Sequence, residues 1–167
     1  MAEAYAKASG EVGVCMATRG VGSSNLAIGL HTAYQDSTPV VALIGQVERP
    51  FKEKEAFQEV DLAAFFSHLC KWTVEIEDVN RIPELLHRAF HIARSGRPGP
   101  VVVSLPHDML EDVANENVNP ALYQIGEAGV QQPDEERVKE ALRMIVSAKR
   151  PVAIVGGGVT RARASSL

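Results

Sequence analysis

The sequence has little of what marks several large classes of protein. Cysteine occurs twice in 167 residues, at Cys15 and Cys70, without CxxC spacing. The two thiols are therefore predicted to be small buried apolar groups, not a disulfide or a metal site. No apolar run reaches the roughly 18–20 residues of a membrane-spanning helix, and no basic region followed by an apolar stretch opens the chain. These absences predict a cytoplasmic protein that does not enter a membrane.

An excess of basic charge is also missing. Lys and Arg number 17 against 21 Asp and Glu, which gives a net charge of −4, and the basic residues are scattered along the chain. We therefore expect no nucleic-acid partner. The histidines show no metal-ligand spacing, so no metal site is predicted. They are His31, His68, His87, His91 and His107.

Apolar runs alternate with helical segments along most of the chain. Continuous apolar runs at 12–18, 39–44 and 100–105 are typical of buried parallel strands, and 71–76 alternates like an edge strand. Helical patterns cover 2–8, 22–34, 61–69 and 79–95. This alternation predicts an α/β fold, in which a parallel sheet has helices on both faces.

A change of composition divides the chain. Residues 113–133 are rich in Asn, Gln, Gly and Glu without a sustained period, so they are predicted to be a linker. Residues 1–112 then form a first domain. Residues 134–167 begin a second, Rossmann-like domain, with a helix over 134–148 and a strand over 151–155. Because 2–8 reads as helix with no capping residue before it, we expect the natural domain to begin before Met1.

Three segments have the composition of ligand sites. Thr18 to Asn25 (TRGVGSSN) joins a strand to a helix, where open α/β sheets bind ligands, although it lacks the last glycine of the dinucleotide fingerprint. Gly45-Gln46-Val47 and 55–59 (EAFQE) follow the next strand. The triple glycine at 156–158 could hold a phosphate. Each segment could equally be a plain turn or a solvated loop, so local chemistry alone indicates an α/β ligand-binding domain.

The order of the motifs adds what no single motif supplies. ATRGVGSSNLAIGLHTAYQDSTPVVALIGQV, then EAFQEVD, then SGRPGPVVVSLPHDML resembles the pyrimidine-binding N-terminal domain of thiamine-diphosphate enzymes of the acetolactate synthase and 2-oxo-acid decarboxylase family. The PVAIVGGG segment stands where that family begins its central domain. This sequence departs from the family pattern T-S-G-P-G-x-x-N at two positions. Arg19 stands in place of the serine and Val21 in place of the proline.

The resemblance implies an assignment of site residues. One wall of the site, beside the pyrimidine ring of the cofactor, would consist of Gly20, Val21, Gly22 and Asn25. Gln46 would support this wall. Phe57 and Gln58 would lie on the substrate side, Phe57 anchored inward and Gln58 presenting its amide.

The resemblance also implies cofactors and partners. The cofactor is thiamine diphosphate with Mg²⁺, but the family's G-D-G…N motif for the diphosphate and metal is not in this sequence. The family's activating glutamate lies upstream of the AEAYA segment, and Glu3 is not its equivalent. The chain alone is therefore expected to be inactive. The parent protein would act on a 2-oxo acid as a homodimer or homotetramer, with FAD as a further cofactor of acetolactate synthases.

Two other readings remain open from the sequence. One is a nucleotide-binding or regulatory α/β module without thiamine chemistry. The other is a non-catalytic remnant that pairs with a partner subunit.

Overall fold

The computed structural model describes residues 1–115, 117–124, 132–162 and 164. Its internal contacts divide the chain into two compact units, Met1–Ala128 and Gly129–Leu167, and each is described by itself. The predicted domain limits of 112 and 134, with a linker between them, stay a prediction.

The first unit alternates helices with strands as the sequence predicts. The helices are α1 (Ala2–Ser9), α2 (Arg19–Gln35), α3 (Leu62–Phe66) and α4 (Ile82–Arg94), and the strands are β1 (Gly13–Thr18), β2 (Val40–Gln46), β3 (Trp72–Glu75) and β4 (Pro100–Pro106). Short 3₁₀ turns occupy Arg49–Phe51, Val79–Arg81, Asp108–Glu111 and Pro120–Tyr123.

The four strands form one parallel sheet in the order β1-β2-β4-β3. The predicted parallel α/β sheet with helices on both faces is confirmed. The central strands β2 and β4 are almost wholly buried, and β3 lies at an edge, half-buried, as its alternating pattern predicts.

The prediction that β1 is a buried strand is wrong for one of its faces. Val14 and Met16 are 47% and 74% exposed. In the described part of the chain β1 is the other edge of the sheet, in register with β2 alone. A continuous apolar run does not distinguish a strand that is buried on both faces from one that is exposed on one face.

Each face of the sheet has its own apolar core. On one face α2 and α3 bury Leu30, Leu62 and Phe66 against β2. On the other face α4 buries Leu85, Ala89 and Ala93 against Val101 and Val103 of β4, which confirms the amphipathic helix read from the sequence. Gly96, with a positive φ of 57°, follows this helix at the predicted C′ position.

The second unit contains α5 (Glu135–Ser147) and α6 (Gly157–Arg161). Asp134 caps α5 as predicted, since its carboxylate accepts the N–H of Arg137 at 2.9 Å. The predicted strand over 151–155 is not formed in the described residues, and Val152 and Ile154 are almost fully exposed. A parallel strand needs a neighbour to complete its hydrogen bonds. Among all described residues, no helix has the length and apolar character needed to cross a membrane.

Candidate functional site

The candidate site lies at the carboxyl ends of β1 and β2. These strands run side by side, with Thr18 of β1 in register with Gly45 of β2. The chain leaves β1 directly into α2 and leaves β2 into a long loop that ends at α3. Crevices beyond the carboxyl ends of parallel strands are where open α/β sheets bind ligands. The first two candidate segments of the sequence therefore share one edge of the sheet.

Gly20 joins those two segments directly. Its N–H donates to the carbonyl oxygen of Gln58 at 2.9 Å, and a β-carbon on Gly20 would come within 2.9 Å of the same oxygen. Helix α2 begins at Arg19, three residues before the predicted start, because a carbonyl distant in sequence satisfies one of its free first-turn N–H groups. Glycine is needed here by the chain's approach to its own backbone.

Arg19 makes a second contact with the same loop. Its guanidinium Nη1 donates to the carbonyl oxygen of Phe57 at 3.2 Å. Arg19 also has a positive φ of 40°, which is uncommon for a residue with a side chain. Two neighbouring residues of α2 thus hold two neighbouring carbonyls of the loop.

Gln58 occupies a tight turn that would favour glycine. The turn runs from Ala56 to Glu59 and is closed by the Glu59 N–H, which donates to the Ala56 carbonyl at 2.9 Å. Gln58 is its third residue and has a φ of 61°, the left-handed region that Gly or Asn usually fills in such turns. A residue in this conformation persists only when its surroundings hold it there.

Phe57 does not anchor this turn inward. Its side chain is 76% exposed, so the expectation of a buried anchor is wrong. Phe57 is the second residue of the turn, and its carbonyl rather than its ring contacts α2. The loop is held by backbone hydrogen bonds rather than by a buried ring.

Gln46 is bonded to the end of the same loop. It is the last residue of β2 and is buried. Its Nε2 donates to the Val60 carbonyl at 2.8 Å, and its Oε1 accepts the Val47 N–H at 2.9 Å. A buried amide with both ends bonded to the protein positions the loop and has a structural role here.

The roles of two charged side chains around this loop, Glu59 and Lys52, could not be predicted from the sequence. Glu59 turns its carboxylate back onto the N–H groups of Glu53 and Ala56, and these bonds hold the pKa of Glu59 below its ordinary value. Lys52 pairs with Glu75 at 2.6 Å and Glu77 at 2.9 Å, and these partners raise the pKa of Lys52. In the sequence both are ordinary residues of a charged, solvated loop, because their spacing along the chain does not reveal their bonding partners.

Val21 and Asn25 remain open to solvent on the first turns of α2. They are four residues apart and so lie on one face of the helix. Gly22 between them faces inward, where a β-carbon would come within 3.2 Å of the Ala17 β-carbon. In the first turns of α2 the exposed face thus carries the apolar side chain of Val21 and the amide of Asn25.

Comparison with known proteins agrees with the motif order. Residues 1–65 match the family described as "Thiamine pyrophosphate enzyme, N-terminal TPP binding domain". A probable acetolactate synthase large subunit of Methanococcus aeolicus is 42% identical over 161 residues, which is 95% of this chain and 27% of that protein. The chain is therefore similar in sequence to the thiamine pyrophosphate enzymes, and to acetolactate synthases among them.

Two further proteins are similar to the chain over nearly its whole length. A glyoxylate carboligase of Escherichia coli O157:H7 is 38% identical over 170 residues, covering 100% of this chain and 28% of that protein. The solved structure of a thiamine diphosphate-dependent 4-hydroxybenzoylformate decarboxylase from Rhodococcus jostii has a TM-score of 0.89 and 25% identity, over 99% of this chain and 31% of its own. The chain therefore spans about a quarter of the length of these curated relatives.

The exposed face of α2 fits the neutral ring of thiamine diphosphate rather than its charged end. Val21 could contact the ring face and the Asn25 amide could hydrogen-bond a ring nitrogen or amino group. The only cation on this turn, Arg19, donates to a protein carbonyl. In the part of the chain that the structure describes, no cluster of His, Cys, Asp or Glu could hold a metal ion.

Proposed function

We propose that this chain forms the pyrimidine side of the active site in a thiamine-diphosphate-dependent enzyme that makes or breaks a carbon–carbon bond of a 2-oxo acid. The observation that carries the proposal is the Gly20 to Gln58 hydrogen bond. It brings the ring-side motif and the substrate-side motif of the family, 38 residues apart in sequence, to one place at the end of the sheet. The match of residues 1–65 to the family model and the acetolactate synthase-like sequence support the same activity.

In this proposal the chain's residues bind and orient, and the cofactor supplies the electron sink for the carbanion. Val21 and Asn25 hold the pyrimidine ring. Gln58 presents an amide, with donor and acceptor atoms, to an oxygen of the 2-oxo acid. Gln46 and Gly20 keep the Gln58 loop against the sheet.

Other parts of the enzyme complete the site. Mg²⁺ and the diphosphate are bound outside these residues, and FAD is a further cofactor of an acetolactate synthase-like parent. The enzyme assembles as a homodimer or homotetramer in the cytoplasm. With pyruvate, thiamine diphosphate and Mg²⁺ at saturating concentration, the 167-residue chain releases no carbon dioxide. Measurable release from the purified chain would contradict this division of the site.

The role of Gln58 is tested by Gln58→Ala in a complete enzyme that contains these residues. Losing one preorganised donor at a developing charge costs about 2–4 kcal/mol, or roughly 10²–10³ in turnover. Thiamine diphosphate affinity and the far-UV circular dichroism spectrum should stay unchanged. Steady-state kinetics and a cofactor titration give both numbers.

Each alternative outcome of that experiment has a defined meaning. Turnover equal to that of the unsubstituted enzyme would make Gln58 an ordinary loop residue. If Gln58→Ala does not fold, the milder Gln58→Asn, which keeps an amide and tolerates positive φ, separates the two roles. A folded Asn variant with low turnover supports the proposal, and a folded one with full turnover makes Gln58 structural.

A further inference from the structure

Glu59 holds the substrate-side loop together with both its backbone and its side chain. Its N–H closes the turn onto the Ala56 carbonyl. Its carboxylate accepts the Ala56 N–H through Oε2 at 3.0 Å and the Glu53 N–H through Oε1 at 2.5 Å. One residue therefore fixes Ala56 by both of its backbone polar groups and ties the beginning of the loop to its end. Bonds from an N–H group to a carboxylate are among the stronger hydrogen bonds in proteins.

The loop that Glu59 closes is strained. Glu53, Glu55 and Gln58 have φ values of 62°, 54° and 61°. Three residues with side chains in the left-handed region within six positions is an unusual density, since each such residue costs free energy. Backbone of this kind stays ordered only where other contacts over-determine it. The Glu59 carboxylate is the contact that reaches two of the loop's N–H groups at once.

The charged groups around Glu59 belong to the same loop. Lys52 and the backbone of Lys54 favour its ionised form, after the larger contributions of the Glu53 and Ala56 N–H groups. Lys52 is itself tied to β3 through Glu75. The exposed carboxylate of Glu55 is the matched residue for comparison, since it carries the same charge in the same loop.

We propose that Glu59 is a positioning residue for the reaction, which holds Gln58 in its left-handed turn so that the Gln58 amide is presented to the substrate. This proposal rests on the function proposed above for Gln58. Glu59 itself touches neither substrate nor cofactor. It acts by keeping the Ala56–Glu59 turn closed while Gly20 and Arg19 hold the carbonyls of its two central residues.

We call the two hydrogen bonds from the Glu53 and Ala56 N–H groups to the Glu59 carboxylate the clasp. The clasp is tested on this chain by amide hydrogen exchange measured by NMR. Glu59→Gln removes the charge and one acceptor oxygen, so the amides of Glu53 and Ala56 should exchange about tenfold faster or more. Glu55→Gln should change neither rate by more than about twofold. In the unsubstituted chain both amide shifts should titrate together, with a midpoint below the ordinary pKa of a glutamate. Equal exchange in the two variants would overturn the clasp.

The link to catalysis is tested by a double-mutant cycle in a complete enzyme that contains these residues. If Glu59 acts through Gln58, Glu59→Gln lowers kcat while the KM for thiamine diphosphate is unchanged, and the double variant with Gln58→Ala is no slower than Gln58→Ala alone. Losses that multiply would overturn the positioning role. A Gln58→Ala enzyme with full turnover would instead remove the proposed function of Gln58, and the exchange measurement would still decide whether the clasp exists.

Discussion

Two glycines of the same helix, Gly20 and Gly29 of α2, have opposite surroundings. A β-carbon on Gly20 would come within 2.9 Å of the Gln58 carbonyl oxygen, which belongs to the backbone, whereas one on Gly29 would have no atom within 4 Å. Gly20 is therefore glycine because a second segment approaches it. Gly29 only raises the conformational entropy that the unfolded chain loses on folding.

We expect alanine at these two positions to change the free energy of unfolding in opposite directions. Gly20→Ala should lower it by about 1–3 kcal/mol, as overpacking usually does, because the Gln58 carbonyl must move. Gly29→Ala should raise it by about 0.5–1 kcal/mol, the difference in helix propensity. Urea unfolding of both variants measures this. A stabilised Gly20→Ala would mean that the Gln58 loop does not press on the helix.

The residue types of the site were predictable, but their contacts were not. Strand ends and glycines marked Thr18–Asn25 and residues 55–59 as candidate segments, because those signals are local. The burial of Gln46 and the exposure of Phe57 depend on segments that meet only in the folded chain. Glu59 is read as one more solvated acid, since its carboxylate bonds to backbone groups that carry no sequence signal.

At the scale of elements, α3 places two neighbouring phenylalanines in different environments. Phe66 is fully buried in the core beneath α2, while Phe65 is 40% exposed. The rings lie edge to face with centroids 4.8 Å apart. The helix has only five residues, so its stability comes from this packing and from the Asp61 cap.

We expect Phe66→Ala to lower the free energy of unfolding by about 3–5 kcal/mol, because it empties a buried aromatic volume in the core. Phe65→Ala is the matched control and should cost about 1 kcal/mol or less, since it loses part of one ring contact and little burial. Thermal unfolding followed by circular dichroism ranks the two. Equal losses would indicate that α3 does not pack as described.

Elements with one strong period were predicted well. In α4 the spacing of the apolar residues, and in β2 and β4 the continuous apolar runs, predict from the element's own sequence which residues are buried. The start of α2 was placed too late because the signal for a turn, Gly20 with Gly22, was overridden by a tertiary hydrogen bond. The strand expected at 151–155 depends on a neighbouring strand, which no local pattern can supply.

At the scale of the whole molecule, β1 is an edge of the sheet among the described residues, and one of its faces is apolar and exposed. Val14 and Met16 are exposed there, and unpaired backbone groups of an edge strand are a template for pairing with another chain. This combination predicts self-association of the chain in solution.

Static light scattering over a wide concentration range should therefore give a mass above that of the monomer. Met16→Lys should shift the chain towards monomer, because a charge on an edge strand opposes pairing. Thr32→Lys adds the same charge at an exposed position of α2 and should leave association unchanged. A monomer at all concentrations without any substitution would contradict this role of β1.

The left-handed conformation of Gln58 has a consequence for how this segment would evolve in the laboratory. Asparagine and glycine adopt a φ near 60° more readily than glutamine does. A library selected only for heat resistance should therefore drift away from glutamine at position 58, whereas selection for turnover should retain it. The two selections would favour different residues at position 58. The residue found there would therefore show whether stability or turnover had been selected.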